Sequence, residues 1–272
     1  PKLQEWIYHL SGSYSKLELM NFIAQWPELS HTKLTFLEWW SIYDIDQYLT
    51  KNNFFNAGVY LQKVQDQQFI EKMRSEFSFL ALLPEGKSLE GFLYPDTYFL
   101  DQQWNSIEKV IKMQLENFDN KVWKKYRDQF ITFTPQGLDL TNYRALILAS
   151  VIENEEKNQT NKPLIAGIFI NRLLAGMRLD ADVTLCYWLK LPYSQCRDAI
   201  PSNLSDATNL YNTRQNIGLM PTPISSPSIA TLDALFNYQK TDALFYLHDN
   251  QGKIYYGVTL EEHNQNKLKY LK

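Results

Sequence analysis

YRALILASVIENEEKNQTNKPLIAGIFINRLLAGMRLDADVTLCY, residues 143–187, decides the fold, because an acidic cluster leaves an apolar helix there and a second buried helix follows at once. Ala145, Leu148, Ala149 and Ile152 share one helical face, so the spacing predicts a helix over residues 143–152. Glu153, Glu155 and Glu156 come directly after it. At about 100° per residue, Glu156 continues the centre of the apolar stripe, while Glu153 and Glu155 flank it on opposite edges. A carboxyl on such an edge sits between core and solvent. Partial burial disfavours its charged form, the condition a general acid needs at neutral pH. The competing reading is a solvated helix end, the usual fate of a short acidic run.

The next helix has a clear start and stop. Thr160 or Asn161 caps it, Pro163 suits its first turn, and Gly176 ends it. Between these, LIAGIFINRLLAG is apolar on nearly every side and therefore belongs in the core. Arg172 interrupts that surface and requires an anionic or carbonyl partner; a structural salt bridge satisfies this as well as a functional contact does.

Outward from this stretch the pattern is mixed. Residues 16–25 and 42–51 read as helices between short apolar strands, and residues 83–92 are the best seam. Residues 105–129 form a bracing helix with Val110, Ile111, Leu115, Phe118 and Val122 on one face and a break near Asp119 and Asn120. ALFYLHD and KIYYGV flank a turn at Asn250, Gln251 and Gly252, predicting a hairpin. Thr259 with Glu262 makes a capping box for a last helix, which gives Glu262 a structural role, and His263 reads as a packing or hydrogen-bonding residue. The predicted class is α+β. With 272 residues, 44% of them hydrophobic, the chain can bury the core of one large domain plus a smaller region.

Several chemistries are excluded. A net charge of -3 without a basic, aromatic-interleaved cluster argues against nucleic acid. The histidines are His9, His31, His248 and His263, with no HExxH and no CxxC, so neither a metal site nor a cofactor is expected. No nucleophile elbow or Gly-rich phosphate loop is present. No segment approaches the roughly 20 apolar residues of a membrane span. Aromatic residues make up 14% of the chain and suit sugar rings, yet they serve cores equally well.

ASVIENEE followed by AGIFINRLLAGMRLDADVTLCY closely resembles the catalytic core of the MltG/YceG-like endolytic murein transglycosylases. Three further blocks match in order: LEGFLYPDTYFL (residues 89–100), NLYNTRQNIGLMPTPISSPS (209–228) and TLEEHNQN (259–266). LTFLEWWSIYDIDQYL (34–49) is similar to an element of the small LysM-like region that precedes the catalytic domain. Departures occur at Trp39, where the pattern has Gly, Val183, where many members have Pro, Arg214, a common Tyr, and Met220, the first Pro of a pair. The His often found in the last hairpin is missing, with Ile254 near its place.

The resemblance implies a LysM-like N-terminal region over residues 1–82 and a larger catalytic domain over 83–272 with a glycan-binding groove. It also implies a membrane anchor preceding this sequence, placing the domain on the outer face of a bacterial cytoplasmic membrane. Expected partners are peptidoglycan strands, peptidoglycan synthases and divisome or elongasome proteins. The reaction it implies needs one carboxyl group, which protonates the bridging glycosidic oxygen and then takes the proton from the C6 hydroxyl of N-acetylmuramic acid as that hydroxyl closes on C1. Proximity favours this internal nucleophile over water. The acid/base role falls on Glu153, the first Glu of the motif; Glu155 is the second candidate for it and is otherwise expected in substrate binding. Asp182, Thr184, Tyr211, Asn212 and Thr213 would orient the glycan; Glu90, Asp96, Thr97, Tyr98 and Arg172 would line or buttress the cleft. Structural turn and capping roles compete at these positions. Two other functions stay open: a non-catalytic glycan-binding scaffold, and a muramidase should two carboxylates face one cleft. An oxidising compartment would permit a Cys186–Cys196 disulfide; reduced thiols are the alternative.

Overall fold

The computed structural model describes residues 14–25, 31–101, 106–191, 193–196 and 198–271; His9 and the first thirteen residues of the expected N-terminal region lie outside them. The helix predicted from residue 143 runs as α7, Tyr143–Glu155, one turn past Ile152, so the acidic cluster begins inside the helix. α7 is buried almost all round, from Tyr143 to Glu153 with Arg144 as the exception. It packs against the helix that follows, α8 (Lys162–Leu174), which is equally enclosed. Pro163 stands in the first turn of α8, and Gly176, at φ +63°, follows its last turn. Gly167 is required by a close approach: a Cβ there would lie 2.1 Å from the carbonyl oxygen of Gln239, whose own N–H is bonded to the Pro163 carbonyl.

The remaining elements brace this pair. In order they are α1 (Lys16–Gln25), β1 (His31–Thr35), α2 (Ile42–Lys51), α3 (Val59–Gln65), α4 (Gln67–Arg74), β2 (Thr97–Asp101), α5 (Ile107–Phe118) and α6 (Lys124–Thr132) before α7. After α8 come α9 (Val183–Trp188), α10 (Tyr193–Cys196), α11 (Ile200–Asn203), α12 (Ile229–Phe236), β3 (Phe245–His248), β4 (Ile254–Gly257) and α13 (Leu260–Tyr270). The strands form two separate antiparallel pairs, β1 with β2 and β3 with β4, so the architecture is mixed and dominated by helix. A π-helical turn, Asp119–Trp123, joins α5 to α6 where the sequence predicts a break. The last hairpin and the Thr259/Glu262 capping box of α13 form as predicted.

Contacts cross the expected seam at Leu83 rather than thinning there. β1 lies before it and β2 after it, with His31 opposite Asp101 and Thr35 opposite Thr97. Glu90 Oε2 accepts the N–H of Ile42, the first residue of α2. Gly91 follows at φ +93°, and a Cβ there would meet Pro223 and Leu146 at 2.7 and 2.8 Å, so the loop after the seam is pressed onto α7. One apolar cluster runs from Leu34 to Ala243, with Phe79, Phe92 and Phe118 at its centre. Cys186 and Cys196 are joined in a disulfide that ties α9 to α10. Among the described residues no helix is long and apolar enough to cross a membrane.

Candidate active site

The end of α7 places its three acids in three different environments, and helical geometry is the reason. Residues 153 and 155 are about 200° apart around the axis, so they face different neighbours. Glu153 points toward α8 and α12. Its Oε1 accepts from Lys162 Nζ at 2.8 Å, and its Oε2 accepts from both the N–H and the hydroxyl of Ser228, each at 2.8 Å. Lys162 in turn reaches Thr231 Oγ1 at 2.6 Å. The two charged side chains are 2% and 3% exposed. The expectation that Glu153 opens into the largest groove is therefore corrected: both its oxygens are taken by an ion pair and a helix N-cap. The edge of α7 that carries it is covered by α12, a neighbour that periodicity alone does not reveal.

Glu155 occupies the opposite edge, and it lines an open groove of about 410 Å³. The other walls come from Arg172 and Asp180 near the end of α8, Asp182, Arg214, Phe245 and Tyr246 of β3, and Leu260, His263 and Lys267 of α13. That volume is in the range of small-ligand sites. Glu155 Oε2 accepts a hydrogen bond from the Tyr246 hydroxyl at 2.9 Å. Burial pushes its carboxyl above the ordinary glutamate range, with the Asp182 charge adding to this and the Tyr246 bond opposing it. No Lys or Arg forms an ion pair with it among the described residues. Glu156, on the centre of the stripe, turns away from the groove and is buried. Its Oε2 meets His248 Nε2 at 2.8 Å and its Oε1 accepts the Asn158 N–H at 2.7 Å. Burial raises it, but these contacts outweigh burial and hold it below the ordinary range.

Arg172 finds the partners its burial demands. Nε donates to the Leu244 carbonyl and Nη1 to the Leu179 carbonyl, both at 2.6 Å, with Asp180 at 3.7 Å. Asp182 lines the same groove as Glu155 and is gripped at both oxygens by Arg214, with Nη2 to Oδ2 at 3.0 Å and Nε to Oδ1.

Of the residues expected to contact glycan, Glu155, Asp182 and Arg172 line the groove and the others do not. Thr184 and Thr213 are buried and bonded to each other and to the Ala181 carbonyl, fixing the loop that carries Asp182. Asn212 spends its amide on the carbonyls of Asn203, Leu204 and Asp206. The Tyr211 hydroxyl is paired with Thr222, and its ring packs on Tyr187 and Trp188. Glu90 is buried under α2. Asp96 is bound by Asn117 and Lys121, Thr97 by Thr35, and the Tyr98 hydroxyl donates to the Tyr94 carbonyl. Sequence reasoning missed Asp180, Tyr246 and Lys267 among the polar residues of the groove, and Phe245, Leu247 and Leu260 among the apolar ones. His263, expected as a packing or hydrogen-bonding residue, stacks on Phe245 and also lines the groove. Arg214 was visible as a departure from a pattern, without a location.

The YceG-like family model matches residues 1–269. The chain is 32% identical over 226 residues to an endolytic murein transglycosylase of Streptococcus pneumoniae serotype 2 (strain D39 / NCTC 7466), an alignment covering 79% of this chain and 39% of that protein. It is 28% identical over 216 residues to an endolytic murein transglycosylase of Bacillus subtilis (strain 168), covering 78% and 57%. It thus spans well under two thirds of the length of these relatives. A crystal structure of a YceG-like protein from Listeria monocytogenes superposes with a TM-score of 0.73 at 30% identity, covering 86% of this chain and 75% of the other.

Proposed function

The chain belongs to the YceG-like family, and on that premise we propose that it is an endolytic peptidoglycan lytic transglycosylase cleaving the β-1,4 bond between N-acetylmuramic acid and N-acetylglucosamine. The observation that carries the reading is Glu155 on the groove wall, its proton held by burial and its Oε2 bonded to a neutral hydroxyl. We assign the acid/base role to Glu155 rather than Glu153. Glu155 donates its proton to the bridging oxygen as the C1–O bond breaks. The resulting carboxylate then accepts the proton of the C6 hydroxyl, whose oxygen bonds to C1 and leaves a 1,6-anhydro end. Charge develops on the carboxylate only after the first transfer, and the Tyr246 hydroxyl is in place to stabilise it. Asp182 and Arg214 would orient the sugar hydroxyls and amides, with Thr184, Asn212 and Thr213 holding that loop rigid.

One observation favours a second reading, a muramidase. Asp180 and Asp182 share the groove with Glu155, as a two-carboxylate hydrolase requires. Against it, both oxygens of Asp182 are engaged by Arg214, leaving it poorly placed to activate water. Mass analysis of products from purified peptidoglycan separates the cases: 1,6-anhydro ends are expected, reducing ends would mean hydrolysis, and absence of products would mean a glycan-binding scaffold. Among the described residues, those that line the groove all fall within 83–272, and we propose that the preceding part, including any LysM-like region, acts as a brace. Action outside the cytoplasmic membrane, an anchor in a preceding segment, and work beside peptidoglycan synthases and divisome or elongasome proteins belong to the same proposal, on the family resemblance.

A further inference from the structure

Two consecutive carboxylates at the end of α7 are each held by a residue of β3, and the two holders are two positions apart. Tyr246 reaches Glu155 at 2.9 Å and His248 reaches Glu156 at 2.8 Å. Residues i and i+2 of a strand lie on one face, and the two rings meet edge to face with centroids 5.9 Å apart. The same strand thus carries the donor to the groove carboxyl and a clamp on the residue next to it. Glu156 is a firm post for that clamp: its N–H closes α7 on the Ile152 carbonyl, and its free oxygen is fixed by Asn158.

The groups around His248 leave it one strong partner. Opposite it on β4 stands Ile254, which is apolar. From α7 it faces Glu156 and, farther off, Glu155; from its own turn, Asp249. Asp249 is already engaged by the N–H groups of Gln251 and Lys253 and by the Tyr255 hydroxyl. On the other face of β3, α13 presents His263 to Phe245, not to His248. The bond to Glu156 accordingly favours the imidazolium form.

We propose that His248 is a positioning residue for Glu155: through Glu156 it holds the end of α7 against β3 so that Tyr246 meets the groove carboxyl, and its charge governs when Glu155 keeps its proton. The inference rests on the assignment of the acid/base role to Glu155 for its catalytic meaning, but the coupling itself does not need turnover. Charged, His248 favours the Glu155 carboxylate; neutral, it lets the buried carboxyl retain its proton to higher pH. His248 touches no substrate in this scheme. It acts through its neighbours, and the effect is a displaced pH range rather than loss of the reaction.

The test is a direct titration of Glu155 by carboxyl ¹³C NMR in glutamate-labelled protein, its signal assigned by loss in Glu155→Gln, comparing the parent with His248→Gln. The Gln side chain still donates to Glu156 but carries no charge. The Glu155 midpoint is expected to rise by about 0.5 on the pH scale, roughly a threefold change in its acid constant, and the alkaline limb of anhydro-product formation should move up with it. An unmoved or lowered midpoint in folded His248→Gln overturns the proposal. A raised midpoint in protein that forms no product would sustain the coupling while sinking the transglycosylase reading, so the two fail separately.

Discussion

Glu153 and Glu155 are indistinguishable as letters in a motif, and opposite in where they lie. The apolar stripe of α7 identifies both as edge residues, but an edge becomes core or groove only when a neighbour covers it. α12 covers the Glu153 edge, through the Ser228 N-cap, and its contact with α7 spans 75 residues of sequence separation, beyond the reach of periodicity. Two substitutions separate the roles. Glu155→Gln should cut anhydro-product formation by roughly 10²- to 10⁴-fold with little change in thermal midpoint, because a groove side chain keeps its shape. Glu153→Gln should do the reverse. Removing one partner of a buried ion pair leaves Lys162 uncompensated and destabilises by about 3–5 kcal/mol, while the fraction that stays folded still turns over. Melting curves and turnover of both variants check this; a stable, inactive Glu153→Gln would return the acid role to Glu153.

At the level of elements, α7 and α8 were readable because their start, stop and apolar periodicity are local. Gly167 is different. Gly176 is legible as the helix stop and takes a positive φ, whereas nothing in LIAGIFINRLLAG reveals that Gly167 needs an absent side chain. The obstacle is a backbone carbonyl, which cannot swing aside as a side-chain tip can. Gly167→Ala should therefore push α8 away from the segment at Gln239 and destabilise by roughly 1–3 kcal/mol, although Ala is the better helix former; a raised thermal midpoint would contradict that close approach. The disulfide makes a second case. Spacing does not establish geometry, so the sequence alone fits a bond or two thiols; in the structure the bond closes a short loop between α9 and α10 beside the groove residue Asp182. Loops of this size lose about 2–3 kcal/mol of stability when opened. A reducing agent should accordingly lower the melting temperature, and the Cys186→Ser/Cys196→Ser pair should match reduced parent protein and show no further response to reductant.

For the whole molecule, the seam expected at Leu83 was drawn from turn residues, and turn residues mark a change of direction as readily as a change of domain. Glu90, seven residues on, shows how the two sides meet: it is 1% exposed and accepts the first N–H of α2. Burial pushes its carboxyl up to about 8. In the unfolded chain a Glu releases its proton near pH 4.3, so between that point and pH 8 the unfolded state binds fewer protons than the folded one. Stability must then fall as pH rises across this window, by roughly 1 kcal/mol per pH unit from this one group. Gln can accept the Ile42 N–H without titrating. Glu90→Gln should therefore match the parent near pH 4.5 and exceed it increasingly toward pH 8, where a gap of several degrees in thermal midpoint is expected at about 2–4 °C per kcal/mol. Parallel melting curves of parent and variant from pH 4.5 to 8 read the gap directly. A gap that stays constant with pH would mean that Glu90 is ionised in the folded state, and that the contact between α2 and the loop after the seam is an anionic cap instead of a protonated one.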